Sequence, residues 1–364
     1  MPYINFDLPE YPCKSDMWDN LKNERRPIVI YGMGNGADKL FRRFEKYGIE
    51  VADIFASDGF VRGHTFHGMR VKSFSEIKEE YSDFVIILSF ASSRPEVIEM
   101  LADIDKNYEM LVPDMPVADE QEYFDREFYN SNYEKIKGAY ELFEDEKSRA
   151  VYASVINYRL SGKLSYLLST YTEKNEMYSI LPCDKINTVI DAGAYNGDTA
   201  REALEYFSNV KKIYAIEPDR RNYKKLTKYS ESAEIDIECI NSAVWSECRV
   251  GSFLDSGNRN SSVSSTASYQ HKENEVSLIS IDSLNILPDY VKYDVEGAEY
   301  EALLGTLDTI RRAKPAMLIS LYHRSRDIFT LPLFVAELNL GYKLSLTRLR
   351  CIPSWEINLI ATQN

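Results

Sequence analysis

Lys292 and Asp294 stand two apart in the run Val291-Lys-Tyr-Asp-Val-Glu-Gly297, so on an extended segment they share a face, and Glu296 follows in the turn. A carboxylate so placed can take a proton from a hydroxyl nucleophile, typically worth ~10²–10⁴-fold in rate. The ammonium can lower a neighbouring carboxylate's pKa or orient an acceptor. His323 follows another apolar run, Ala316 to Leu321, and is expected to open onto the same rim. Asp294 is the first candidate for the base, with Glu296 and His323 next. A metal held by Asp294, Glu296 and His323 is conceivable, but the reading adopted here requires none.

A second constellation lies upstream. Asp191-Ala-Gly-Ala-Tyr-Asn-Gly-Asp-Thr199 comes directly after the apolar run Thr188-Val-Ile190. Gly193 and Gly197 let the backbone turn tightly and approach a ligand closely, while Asp198 and Thr199 fall where they would cap a helix. Glu217 and Pro218 end the next apolar run, one strand–helix unit further on, where a carboxylate can accept two hydrogen bonds from a ribose diol. The middle glycine of a dinucleotide loop is replaced by Tyr195, which crowds a pyrophosphate. S-adenosylmethionine, which has no phosphate, suits the loop better. Near the start of the chain, Gly32-Met-Gly-Asn-Gly-Ala37 does satisfy the dinucleotide fingerprint, with Asp58 placed to serve as its ribose acid.

These residues need elements to hold them. Ile28–Tyr31, Val51–Ala56 and Phe84–Phe90 read as strands, with helices over 37–47 and 95–104. Residues 119–168 lose glycine and show apolar side chains at three- and four-residue steps, as in two or three amphipathic helices. Beyond Cys183 strands are expected at 188–190, 213–216, 235–240, 291–294 and 316–321, with a helix over 299–310 and a closing pair of strands at 342–346 and 357–361. The spacing predicts an N-terminal arm (1–25), a smaller Rossmann-like α/β domain (26–117), a helical connector (118–182) and an α/β domain over 183–364. The Ser- and Asn-rich stretch 255–275 reads as a lid or a disordered loop.

Composition sets the outer bounds. The 364 residues suit about two domains. A net charge of −14 argues against a broad nucleic-acid surface, which needs a basic face. No apolar run approaches the ~20 residues of a membrane span, and no secretory signal pattern opens the chain, so a cytoplasmic setting is expected. Five cysteines with no C-x-x-C pair read as buried, reduced thiols. His64 and His67 sit in a glycine-flanked turn and read as solvated.

Asp191-Ala-Gly-Ala-Tyr-Asn-Gly-Asp198, Glu217-Pro218, Asn241-Ser-Ala-Val244 and above all Lys292-Tyr-Asp-Val-Glu-Gly-Ala-Glu299 resemble the FkbM-type methyltransferases over roughly residues 187–361. That resemblance implies a mostly parallel Rossmann-like sheet with an antiparallel last strand, S-adenosylmethionine as cofactor, and methyl transfer to an oxygen, often a sugar hydroxyl. It further implies that Asp191, Gly193, Ala194 and Gly197 line the cofactor, that Glu217 with Pro218 holds its ribose, that Ser242 and Ala243 border the adenine, and that Asp294 sits beside the sulfonium. The stretch Gly63 to Val71 resembles a small Rossmann-like domain that precedes some sugar-modifying enzymes and adjoins or binds a nucleotide-sugar. Its glycine loop keeps alternatives open: NAD(P) or nucleotide-sugar binding, an oxidoreductase, or mere packing. A small-molecule or carbohydrate substrate is expected, with neither nucleic acid nor membrane as partner, and association into a homo-oligomer stays open.

Overall fold

A computed structural model describes residues 6–118, 122–254, 262–263 and 273–363. Most of the Ser- and Asn-rich stretch 255–275, including Ser261, Ser264 and Ser265, lies outside the described residues.

Two parallel sheets organise the chain. The smaller comprises β1 (Ile28–Tyr31), β2 (Asp53–Ala56), β3 (Lys72–Ser73), β4 (Val85–Leu88) and β5 (Met110–Leu111), in the order β3-β2-β1-β4-β5. Its central strands β1 and β4 are buried at every position because both faces are covered. Ile28 and Ile30 pack into one cluster, with helix α1 (Asn35–Tyr47), while Val29 and Tyr31 pack into another.

The larger sheet holds β6 (Thr188–Ala192), β7 (Lys212–Ile216), β8 (Asp236–Ile240), β9 (Tyr290–Tyr293), β10 (Ala316–Ser320), β11 (Lys343–Arg348) and β12 (Ile357–Thr362). Their order is β8-β7-β6-β9-β10-β12-β11, with β12 antiparallel to both of its neighbours. A separate four-stranded sheet is formed by Ala243–Val244, Arg249–Leu254, Ser262–Val263 and Glu273–Ile279.

Three expectations need correcting. The helix expected over 299–310 is two helices, Glu299–Leu304 and Leu307–Ala313. The break falls at Gly305, where a Cβ would stand 2.1 Å from the carbonyl oxygen of Trp245, so a crossing backbone interrupts the helix. In the connector, α2 (Arg126–Glu141) is amphipathic, but α3 (Glu146–Ser161) is not, since ten of its sixteen residues are buried. The reason is that α3 is sandwiched: Val151 and Val155 pack with the large sheet while Tyr158 packs with the small one. Finally, the five cysteines are free, but only Cys351 is buried and Cys248 is exposed. His67 stacks on Phe41 and meets Asp38 at 2.8 Å.

The sheets are tied to each other as well as to α3. Ser92 and Ile352 exchange backbone hydrogen bonds at 2.7 and 2.9 Å, joining the segment after β4 to the β11–β12 connection. Arg159 of α3, fully buried, meets Asp114 at 2.8 Å and donates to the Ser325 carbonyl at 3.2 Å. Removing one partner of such a pair strands the other's charge in the interior. Arg159→Ala is therefore expected to lower the unfolding free energy by about 3–5 kcal/mol in urea denaturation, and a loss below about 1 kcal/mol would show that the pair does not hold the two sheets together.

Candidate active site

Ligands of open α/β sheets bind beyond the carboxyl ends of the strands, where the strand order reverses. Here that point lies between β6 and β9, and a cleft of about 510 Å³ opens there. Its geometry begins with a close backbone approach. Gly193 has φ +93°, and a Cβ on it would sit 1.9 Å from the Asp294 carbonyl oxygen. Only glycine lets the two loops touch. Three non-glycine residues of the cleft, Tyr195, Glu296 and Glu356, also hold positive φ, at 46°, 54° and 60°. Backbone strain of this kind persists where surrounding structure enforces it and gathers at functional sites.

On one side of the Gly193 loop is Glu217. Its Oε2 accepts from the Tyr195 amide at 2.8 Å and its Oε1 from the Asp219 amide at 2.8 Å, so the carboxyl bridges two loops while each oxygen keeps a further lone pair. Burial pushes its pKa up to about 8 against the pull of those amides. On the other side is Asp294. Burial raises its pKa, but the charges of Lys292 and His323 outweigh that and leave it below the ordinary carboxylate value. Lys292 reaches Asp294 at 3.2 Å and donates to the Thr199 hydroxyl at 2.8 Å, and the Tyr322 hydroxyl donates to Asp294 at 3.2 Å. Beneath them Asp191 is fully buried, and neither of its oxygens has a hydrogen-bond partner among the described residues. Burial, opposed by Lys292, pushes its pKa up to about 7.

His323 lies behind the rim rather than on it, 1 % exposed. Its Nδ1 meets Glu299 at 2.9 Å, and its Nε2 stands 3.4 Å from Glu296 and 3.6 Å from Asp294. Burial lowers its pKa, yet the three carboxylates prevail and push it up to about 10, so at neutral pH the ring is an imidazolium with no free lone pair to accept a proton. Glu299 also accepts from the Val295 amide at 2.9 Å, bracing the turn that carries Asp294 and Glu296. Asp294, Glu299 and His323 bring ligand-type atoms within 4.8 Å of one another, with Glu299 in place of the Glu296 that the sequence suggested.

Of the residues singled out in the sequence, Gly193, Glu217, Pro218, Ala243, Lys292, Asp294 and Glu296 line the cleft. Asp191, Ala194, Gly197, Ser242 and His323 lie beneath its surface. Gly197 faces the Tyr229 ring, where a Cβ would sit at 2.6 Å. Gly197 holds the cap position of the helix Asp198–Tyr206; Asp198 accepts from the free Thr199 amide at 2.9 Å, while the Thr199 hydroxyl serves Lys292 instead of an amide. Sequence reasoning missed Tyr322, Glu299 and a further wall of the cleft, built from Thr172, Glu173, Lys174, Arg350 and Glu356 with Ser93 from the segment after β4. Tyr322 follows β10 directly and Glu299 closes the acidic run, so both carried a positional signal. The wall carried none, being assembled from segments far apart in the chain.

The glycine loop at 32–37 borders a second cavity, of about 330 Å³. A Cβ on Gly36 would stand 2.0 Å from the Ser89 carbonyl oxygen, and one on Gly32 would stand 2.7 Å from the Ser89 hydroxyl. Both glycines are therefore required by contact with the segment after β4. Asp58 does not face this cavity, and its carboxylate accepts from the amide and hydroxyl of Ser75 at 3.3 and 2.7 Å.

Residues 191–344 match the methyltransferase FkbM domain. Among solved structures, the chain is similar to methyltransferase FkbM from Methylobacillus flagellatus KT, with 17% identity, a TM-score of 0.69, and coverage of 94% of this chain and 92% of that one. An rRNA methylase from Streptococcus thermophilus has 12% identity and a TM-score of 0.34 over 53% of this chain and 97% of its own. Fibrillarin from Aeropyrum pernix, solved with S-adenosyl-L-methionine, has 16% identity and a TM-score of 0.31 over 50% and 69%. No curated protein matches the chain in sequence. The first of these likenesses establishes the shared fold. No helix among the described residues is long and apolar enough to cross a membrane.

Three groups of the site share one sign, whereas Asp294, with its lowered pKa, has the opposite one. Asp191, Glu217 and His323 have folded pKa values above their unfolded ones, so the stability they confer is complete at low pH and is lost as pH rises through about 7 to 10. Unfolding free energy from urea titrations is expected to fall by on the order of 1 to a few kcal/mol between about pH 6 and about pH 9.5. Glu217→Gln should make that decline shallower. A flat or rising profile would overturn these assignments.

Proposed function

We propose how this chain, a methyltransferase of the FkbM type, uses its cleft: it binds S-adenosylmethionine between Glu217 and Asp294 and directs the methyl group to a hydroxyl of a sugar or related polar acceptor. One observation carries the reading. Two carboxyl groups face one cleft from either side of the Gly193 loop, one held by the Tyr195 and Asp219 amides with its pKa pushed up by burial, the other paired with Lys292, which pulls its pKa down. Such a split marks two different tasks.

The residues fit the cofactor's chemistry. Glu217 retains lone pairs for a ribose diol, Pro218 and Ala243 offer apolar surface beside it, and Gly193 lets the loop bearing Asp294 come close. The acidic side chains of the lining, with the Asp191 carboxyl buried beneath them and without a hydrogen-bond partner among the described residues, suit a ligand that brings positive charge. When bound, the cofactor supplies a methyl group already activated by its sulfonium. The chain's own part is then alignment, which can be worth ~7–11 kcal/mol of the barrier. Asp294, fixed by Lys292 and Tyr322, orients the acceptor hydroxyl and takes its proton, with Glu296 beside it. Lys292 holds Asp294 ionised, and His323 steadies both carboxylates from behind as a cation.

The facing wall supports a polar acceptor, since Thr172, Glu173, Lys174, Arg350 and Glu356 offer hydroxyl and charged groups. Free thiols at all five cysteines suit a reducing, cytoplasmic setting. The engagement of Asp58 elsewhere disfavours the oxidoreductase alternative, in which it would hold a nicotinamide dinucleotide's ribose.

Two outcomes test this reading. Asp294→Asn should lower kcat for methyl transfer by about 10²-fold or more, with cofactor affinity nearly unchanged; ordinary turnover would remove Asp294 from the chemistry. Glu217→Gln should weaken S-adenosylmethionine binding by about tenfold in calorimetric titration, and an unaltered dissociation constant would refute the ribose assignment.

A further inference from the structure

Three cations line the cleft. Lys292 is paired with Asp294 and Lys174 with Glu202. Arg350 differs: among the described residues no carboxylate forms an ion pair with it, and its Nε is buried without a hydrogen-bond partner. Its guanidinium rests over the Tyr171 ring at 5.3 Å. A guanidinium cannot shed its charge to relieve this, and an unmet buried donor is costly to leave.

The setting of Arg350 is rigid. It lies in the β11–β12 connection, where the Leu349 amide donates to the Glu356 carbonyl at 3.0 Å. The Thr172 amide donates to the Arg348 carbonyl at 2.8 Å, and the Ser92–Ile352 exchange fastens the same connection to the small domain. A guanidinium on a connection braced by these backbone bonds, lying over an aromatic ring and forming no ion pair with a carboxylate among the described residues, suits a planar anion. The other charged side chains of the lining are acidic, among them Glu173, Glu202, Asp294, Glu296 and Glu356. An anionic group entering the cleft is repelled at each of these and attracted at Arg350.

We propose that Arg350 is the anion receptor of the acceptor half of the cleft, so that the methyl acceptor is a hydroxylated molecule that also carries a carboxylate or a phosphate. This deepens the methyltransferase reading and rests on it. It also places the selecting residue outside residues 191–344, which match the methyltransferase FkbM domain.

The test uses the full chain saturated with S-adenosylhomocysteine and titrated calorimetrically with glucuronate, glucose 6-phosphate and glucose. At least one anionic sugar is expected to bind about tenfold or more tightly than glucose, and which of the two does so tells a carboxylate from a phosphate. Arg350→Gln should remove that preference and Arg350→Lys restore part of it, while S-adenosylhomocysteine affinity stays within about twofold. Equal binding of all three sugars, or an anion preference that survives Arg350→Gln, overturns the proposal. So does a tenfold loss of S-adenosylhomocysteine affinity in Arg350→Gln, which would assign the guanidinium to the cofactor's own carboxylate. Failure of the unaltered protein to bind S-adenosylhomocysteine would sink the cofactor reading instead, and the same titrations on the ligand-free protein would still decide the role of Arg350.

Discussion

A lysine in the middle of a parallel sheet is expensive to desolvate, and Lys292 stands on β9 with its backbone registered against Asp191 of β6. What makes it tolerable is the set of groups around its ammonium: Asp294 just beyond the strand, the Thr199 hydroxyl across the loop, and Asp191 below. The dependence is mutual. Without the lysine, Asp191 and Asp294 would face each other's charge with only His323, behind Asp294, to offset it. The Gly193 loop, the strained turn at Glu296 and the position of His323 all follow from holding this group together in an interior that admits little water.

Charge continues to organise the structure one layer out. His323 stays protonated because Glu299, Glu296 and Asp294 surround it, and Glu299 in turn braces the turn that carries Asp294. Acids and bases thus alternate from the sheet to the cleft wall, so each carboxylate is steadied from behind while one side remains open to a ligand. The apolar clusters on either face of the large sheet supply the stability that lets such a polar centre exist.

Much of this was readable from residue types and spacing. The strands of both sheets show as apolar runs closed by glycine or acid, and the residues after β6, β7 and β9 pointed directly to Gly193, Glu217 and Asp294, all of which line the cleft. Periodicity failed where tertiary contact overrode it. Nothing local in Glu299 to Ala313 announces that Trp245 will cross at Gly305, and the mixed pattern of α3 reflects two neighbours rather than one. His323 was legible as chemistry but not as depth, since burial behind a rim is a property of what packs around a residue. The part of the lining built from Ser93, Thr172 and Arg350 was invisible because these residues are brought to one cleft only by folding.

The backbone exchange between Ser92 and Ile352 bears on modularity. A piece trimmed to the large sheet alone would keep the strands that carry Glu217 and Asp294, yet it would leave the Ile352 amide and carbonyl open to solvent and the connection bearing Arg350 unmoored. The small sheet therefore braces the β11–β12 connection, and a piece cut to residues 191–344 would keep Glu217 and Asp294 while losing Arg350, Glu356 and the Ser92–Ile352 exchange.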